Sequence, residues 1–373
     1  MALLFYVNGF VVGSWLPRLP EIRDRLGIGL GALGITLAVG GLGSLAGSAV
    51  SGVVVSRFGA RRSALVSAMA LYLILPLISI APTAGALAIV LAVIGVLDGQ
   101  VDVGMNAIGI RVEENVGRSI MTRLHGLWSL GTLIGAGASS LSILVGMALE
   151  TQLVIVAVVG LIAVGIAARL TPHIEPRARV GQRSGAIAVG LILAGGTAVM
   201  IEGASFDWSA IFLRDVIGVG EAASGAGVIS FTAGMLGGRM GGDRLVDVFG
   251  GMRTLFAGLA VSTAAMLVVI TSGTSIVALI GFGAWGLAIS VVLPILYKLA
   301  GAHPGFSEGS GLAALTVGTR LGFMAAPALI GLAAVSWGLP TAIGVVVASA
   351  AVASTISIRL TPVDREPVRD SLP

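Results

Sequence analysis

At 373 residues the chain has the length of two or three soluble domains, yet 56% of its residues are hydrophobic and only 11% are charged, giving a mean hydropathy of +1.03. That composition leaves no polar stripe for water-facing helices, so a soluble enzyme is excluded. The net charge of +4 comes from arginines in short connections, where it has a topological meaning and not a nucleic-acid one.

In chain order, apolar runs of about the length that crosses a bilayer core lie near residues 1–17, 30–55, 64–82, 85–109, 120–147 and 151–169, then 186–211, 222–242, 254–272, 275–299, 310–335 and 338–358. The expected fold class is an all-α polytopic membrane protein with about twelve transmembrane helices. The first run opens at Met1 without a basic region, and Pro17–Arg25 holds no small-residue cleavage site, so it reads as a span and not a signal peptide. The 56 glycines suit helices that pack closely and bend, and the absence of cysteine excludes disulfides, thiol nucleophiles and cysteine-bound zinc.

Twelve spans place both termini on one side. Arg57, Arg61, Arg62, Arg111, Arg118, Arg123, Arg169, Arg177, Arg179, Arg183, Arg244 and Arg253 fall in one set of connections, against Arg18, Arg23, Arg25 and Arg214 in the other. The positive-inside rule makes the first side cytoplasmic, with both termini there, in a bacterial inner membrane. The expected organisation is an N-terminal six-helix bundle over 1–170, a Pro- and Arg-bearing cytoplasmic linker over 171–185, a C-terminal bundle over 186–358 and a cytoplasmic tail over 359–373.

Shifting the chain by 191 residues aligns Arg23-Asp24-Arg25-Leu26-Gly27-Ile28-Gly29 with Arg214-Asp215-Val216-Ile217-Gly218-Val219-Gly220. The same offset pairs Phe58-Gly59 with Phe249-Gly250, Arg62 with Arg253, Gly34 with Gly225, and Leu130-Gly131 with Leu321-Gly322. One offset held over so many spans indicates a duplicated bundle, and two parallel repeats enclose a cleft that opens alternately to either side.

The segment Gly52-x-x-x-Ser56-Arg57-Phe58-Gly59-Ala60-Arg61-Arg62 resembles the loop signature of the major facilitator superfamily, and Asp243-Arg244-Leu245-Val246-Asp247-Val248-Phe249-Gly250-Gly251-Met252-Arg253 repeats it. The resemblance covers essentially the whole chain. It implies two pseudo-symmetric six-helix bundles and makes Gly52, Arg57, Gly59, Arg62, Asp243, Asp247, Gly250 and Arg253 candidate conformational-switch residues. Ser56 stands where the family usually has Asp, which leaves Asp247 as the copy able to keep that acid's latch. Asp102-Val-Gly-Met-Asn106, followed by Leu127-Trp128-Ser129-Leu130-Gly131, is similar to the proton-coupled fucose-permease branch, where an acid occupies the position of Asp102.

Polar residues at membrane depth cost free energy and therefore face a cavity or a partner. Asp98, Asp102 and Asn106 are spaced by four and form one ridge on the fourth span. Two carboxylates so close resist double ionisation, which makes Asp98 and Asp102 candidate proton carriers; bonding to neighbouring helices, with an arginine such as Arg320 as partner, is the structural alternative. His125, with an ordinary titration range near neutrality, and Glu202 join the proton-coupling set. Asn106, Trp128, Arg320, Asn8 and Trp285 are the candidate substrate contacts, and Arg320 is open to two roles, binding an anionic substrate or neutralising an acid.

There is no Gly-Lys-Ser/Thr phosphate loop, no metal-spaced histidine pair and no Gly-x-Ser-x-Gly segment. The expectation is therefore a non-enzyme without cofactor or metal that uses the proton gradient. Its partners would be a small-molecule substrate, protons and the bilayer, with no nucleic acid, and it would act as a monomer. The leading reading is alternating-access symport of a small polar solute, a sugar or organic anion. Proton-driven efflux is the alternative, disfavoured because Ser139-Ser140 stands where exporters of the superfamily carry Gly-Pro. A receptor of the same fold that moves nothing is the third.

Overall fold

The computed structural model of the protein describes residues 1–116, 120–171, 185–302 and 310–360, and among them every regular element is helical. Twelve long helices follow one another: α1 (Ala2–Gly13), α2 (Leu30–Phe58), α3 (Ala60–Ile74), α4 (Ala84–Val116), α5 (Met121–Leu144), α6 (Leu149–Leu170), α7 (Gly185–Phe212), α8 (Ala226–Phe249), α9 (Gly251–Ile270), α10 (Ser275–Ile289), α11 (Ser310–Trp337) and α12 (Leu339–Leu360). Six short helical segments extend or join them: Leu16–Arg18, Leu19–Leu26, Leu77–Ile80, Leu213–Ile217, Glu221–Ser224 and Val292–Ala302. Among the described residues, eleven spans are long and apolar enough to cross a membrane. The twelfth is α8, whose second half carries Arg239, Asp243, Arg244 and Asp247.

Two boundaries differ from the sequence reading. The helices α2 and α8 run on to Phe58 and Phe249, so Arg57, Asp243 and Asp247 belong to helix ends and not to loops. Each connection narrows to one glycine, Gly59 or Gly250. The expected linker beyond Thr171 and the tail beyond Leu360 lie outside the described residues.

The duplication is visible in backbone angles. Gly59 has φ 82 and ψ 149, and its partner at the 191-residue offset, Gly250, has φ 83 and ψ 150. A left-handed residue also ends the turn after each repeated Arg-Asp, Gly27 at φ 62 and Gly218 at φ 81, a conformation glycine adopts without steric cost.

Small residues fix the packing inside each half. A side chain at Gly43 or Gly47 would run into α4, and one at Gly95 or Gly99 would run into α2, so these two helices touch along their backbones. In the second half α8 and α10 meet the same way through Gly234 and Gly286. The helix α1 lies against α5, and its counterpart α7 lies against α11. Between halves, α2 packs on α11 and α5 on α8, two interfaces related by the same offset.

Candidate functional site

The two halves hold together at two levels. At the rim formed by the short helix Leu19–Leu26 and the end of the seventh span, Arg23 pairs with Asp215, while Arg214 pairs with Asp24 at 2.7 Å. Each repeated Arg-Asp dipeptide thus binds the acid of the other copy. Just below this rim, Gly34 abuts the carbonyl of Pro327 and the backbone of Gly331, and its counterpart Gly225 abuts Ser140 and Pro17. The offset of 191 also maps Ser140 onto Gly331, so that part of the contact recurs, while Pro327 and Pro17 are not counterparts.

At mid-depth each interface contains one buried arginine from the second half. On α11, Arg320 donates through Nη2 to Asp102 Oδ2 and through Nη1 to Ser44 Oγ at 3.0 Å. On α8, Arg239 donates to Ser129 Oγ and to the His125 carbonyl at 3.2 Å, and its guanidinium lies 5.6 Å from the centre of the Trp128 ring. By the offset, position 239 corresponds to Ser48 and position 320 to Ser129. The two interfaces differ in register, since Arg239 bonds Ser129 whereas Arg320 bonds Ser44, one turn before Ser48. Ser48 Oγ and Arg320 Nε are buried without a hydrogen-bond partner.

The expected ridge on α4 is present and polarised toward these arginines. Asn106 Nδ2 donates to Asp102 Oδ1 at 2.9 Å, so Asp102 receives one oxygen bond from its own helix and one from the other half. Its side chain keeps 31% of its surface exposed, against 11% for Arg320; the carboxylate faces open space while the cation behind it is enclosed. One turn away, Asp98 Oδ1 accepts from Asn8 Nδ2 at 2.9 Å, and Asn8 Oδ1 accepts from Trp128 Nε1 at 2.8 Å. Glu202, buried on α7, has its carboxylate 4.0 Å from Arg239 Nη2, beyond hydrogen-bonding distance.

Of the residues singled out from sequence, Asp98, Asp102, Asn106, Asn8, Trp128 and Arg320 thus fall in one connected cluster, with Glu202 and His125 at its second arginine. The His125 ring packs edge-on against Phe5 at 5.4 Å. Trp285 touches the cluster only through a run of rings, Trp128–Phe206–Phe231–Trp285. It is 1% exposed, stacked on Phe282 and edge-on to Phe231, inside the second half's own packing.

The switch residues lie at the opposite end from the paired rim. Arg57 sits over the Phe58 ring at 5.5 Å, and among the described residues Asp243 and Asp247 form no ion pair. A Cβ added at Gly52, Gly126, Gly237 or Gly241 would meet nothing within 4 Å. The described side-chain contacts between halves thus include the Arg23 rim and the two arginines at mid-depth. Arg239 is the residue that sequence reasoning missed, although it lies inside an expected span; its correspondence to Ser48, opposite the Arg320–Ser129 correspondence, was the available signal.

Comparison with known proteins bears on what such a molecule does. The sequence model of the Major Facilitator Superfamily matches residues 1–307. An uncharacterised MFS-type transporter of Yersinia pestis is 32% identical over 351 residues, covering 92% of this chain and 90% of that protein. The membrane protein MosC of Rhizobium meliloti is 29% identical over 368 residues, 94% of this chain and 88% of that one. Among solved structures, a point mutant of the nucleoside transporter NupG superposes with a TM-score of 0.77 at 13% identity, over 97% of this chain and 98% of that one. A bacterial homolog of the human lysosomal transporter Spinster, inward-facing and occupied, gives 0.71 at 14% identity, over 98% and 97%. At these identities the two structures establish the fold alone.

Proposed function

The chain belongs to the Major Facilitator Superfamily and is a multi-pass membrane transporter; on that premise we propose that it couples proton movement to symport of a small neutral polar solute. The observation that carries this reading is the Arg320–Asp102 pair across the two halves, with Asp102 the more exposed partner. A carboxylate that holds a buried guanidinium can release it by taking a proton, and an interface held by that bond then loosens on one side. Breaking such a pair by removing one partner costs about 3–5 kcal/mol in typical buried sites. A bias of that size shifts a two-state equilibrium by roughly a hundred- to a few-thousand-fold.

The pairing also supports a class of solute. With Arg320 already neutralised by Asp102, an added anion would face a net-neutral centre. A sugar or other neutral solute, bonded by Asn106 and the open edge of Asp102, suits it better. Asp98, one turn away, is the second proton carrier of this scheme, in keeping with the likeness of this segment to the fucose-permease branch. The positive-inside rule supports a cytoplasmic position for the arginine-rich connections, and in this reading the chain works in an inner membrane as a monomer.

The test is counterflow in liposomes of labelled neutral sugars, nucleosides and organic anions, with and without an imposed pH gradient. Accumulation of a neutral solute driven by inward-directed protons is expected. Uptake of anions alone, or driven by an outward proton gradient, contradicts it.

A further inference from the structure

Asn8 sits between two groups that dictate its orientation. An indole N–H only donates, so the atom of Asn8 facing Trp128 Nε1 at 2.8 Å must be Oδ1. The amide nitrogen is then turned toward Asp98, and the Asp98 Oδ1 at 2.9 Å must accept. The three side chains come from α4, α1 and α5, all in the first half, and Asn8 is 6% exposed. A buried amide bonded on both sides has no freedom to answer a change at one end without disturbing the other.

A proton arriving on Asp98 is such a change. If it binds Oδ1, that oxygen becomes a donor and meets the Asn8 N–H donor head-on. Rotating the amide to repair this clash turns its N–H toward the Trp128 N–H. If the proton binds the other oxygen, the Asn8 bond loses its charge assistance, which accounts for roughly half the strength of such bonds. Both outcomes weaken the hold of Asn8 on the indole. Trp128 is also where the first half meets the second. Arg239 of α8 lies over its ring, and Phe206 of α7 packs edge-on at 6.3 Å.

We infer that Asn8 is a positioning residue that transmits the protonation state of Asp98 to Trp128, and through that ring to the Arg239 and Phe206 contacts of the second half. This rests on the reading of Asp98 and Asp102 as proton carriers. It adds a route by which a proton on α4 reaches the α5/α8 interface, as the Arg320–Asp102 pair does for the α2/α11 interface. The charged neighbours along the route are Arg320 and Asp102 at Asp98, and His125, Glu202 and Arg239 around Trp128. Tyr72 lies alongside, its hydroxyl donating to the Val7 carbonyl.

The test uses the full chain in lipid nanodiscs without substrate. Subtracting the fluorescence of a Trp128→Phe protein from that of the native one isolates the Trp128 emission while leaving the buried Trp208 and Trp285 in place. This difference emission is expected to change with pH, with the shift lost in Asp98→Asn and in Asn8→Ala backgrounds and kept in His125→Phe and Glu202→Gln ones. A flat native difference emission overturns the inference. So does a shift that survives Asn8→Ala, or one that His125→Phe or Glu202→Gln removes. Parallel pH-driven uptake separates the two readings. If Asp98→Asn with Asp102→Asn abolishes uptake while Trp128 never responds through Asn8, proton coupling stands and the relay falls; a Trp128 response through Asn8 with uptake intact leaves the relay and removes the coupling.

Discussion

At the Arg23 rim the two halves grip each other with identical parts, whereas at mid-depth they grip each other with different ones. The rim uses the same Arg-Asp dipeptide twice, each arginine taking the other copy's acid, with the corresponding glycines Gly34 and Gly225 in close contact below it. At mid-depth Asp98, Asp102 and Asn106 map onto Ile289, Leu293 and Tyr297, and both arginines come from the second half. Closing a rim needs only that the two edges fit, and two equal copies satisfy that need equally. Carrying a proton needs a distinct acid in a distinct environment, and only divergence of the copies supplies it.

Removing Arg320 gives the largest expected effect, because it strands Asp102. Arg320→Ala should lower stability to thermal unfolding in detergent by about 3–5 kcal/mol. Asp102→Asn added to it should restore most of the loss; a double variant as unstable as the single one would break the claim that the mid-depth charges act as a pair. At the rim, Gly34→Leu places a side chain against the Pro327 carbonyl, and overpacking of this kind costs about 1–3 kcal/mol. It should hold the rim apart. The chain has no cysteine, so spin labels at Gly29→Cys and Gly220→Cys, two corresponding exposed positions, can report the separation. Gly225→Leu should lengthen the same distance to a similar extent, since the two glycines correspond and both are in close contact; a response from only one of the two would deny the symmetry of the rim.

The ion pairs at the rim are weaker. Exposed pairs contribute about 0.2–1 kcal/mol each, so Arg23→Asp with Arg214→Asp should shift the label distances by a population change of a few fold. Adding Asp24→Arg and Asp215→Arg should reverse it, because the reciprocal pairing survives exchange of charge. The smallest effect belongs to Ser48→Ala, at a hydroxyl without a partner, which should be close to neutral in the same unfolding assay, whereas Ser129→Ala removes a bond to the charged Arg239 and should cost about 1.5–3 kcal/mol.

The apolar runs and the 191-residue offset were enough to read twelve helices in two related bundles, because both features are local or periodic in the chain. Helix ends were harder. Phe58 and Phe249 close helices that hydropathy alone ends several residues earlier, since Arg57, Asp243 and Asp247 project from turns beyond the apolar segment. In the site, the spacing of Asp98, Asp102 and Asn106 showed one ridge, and Arg320 stood out as a lone charge. Which acid Arg320 meets depends on how α2 and α11 cross, and that is set by glycine contacts distributed over both halves. The Asn8–Trp128 bond joins residues 120 positions apart and leaves no trace in spacing. Trp285 looked as suitable as Trp128, and only packing against Phe231 and Phe282 separates them.

The central claim is that protons are carried by the acids of α4 and released against Arg320. The measurement that tests it most directly is accumulation of an exchanged solute by liposomes under an imposed pH gradient, comparing the native protein with Asp98→Asn/Asp102→Asn. The account predicts that the double variant still exchanges solute at equilibrium but no longer concentrates it in response to the gradient. Accumulation at the native level would contradict it.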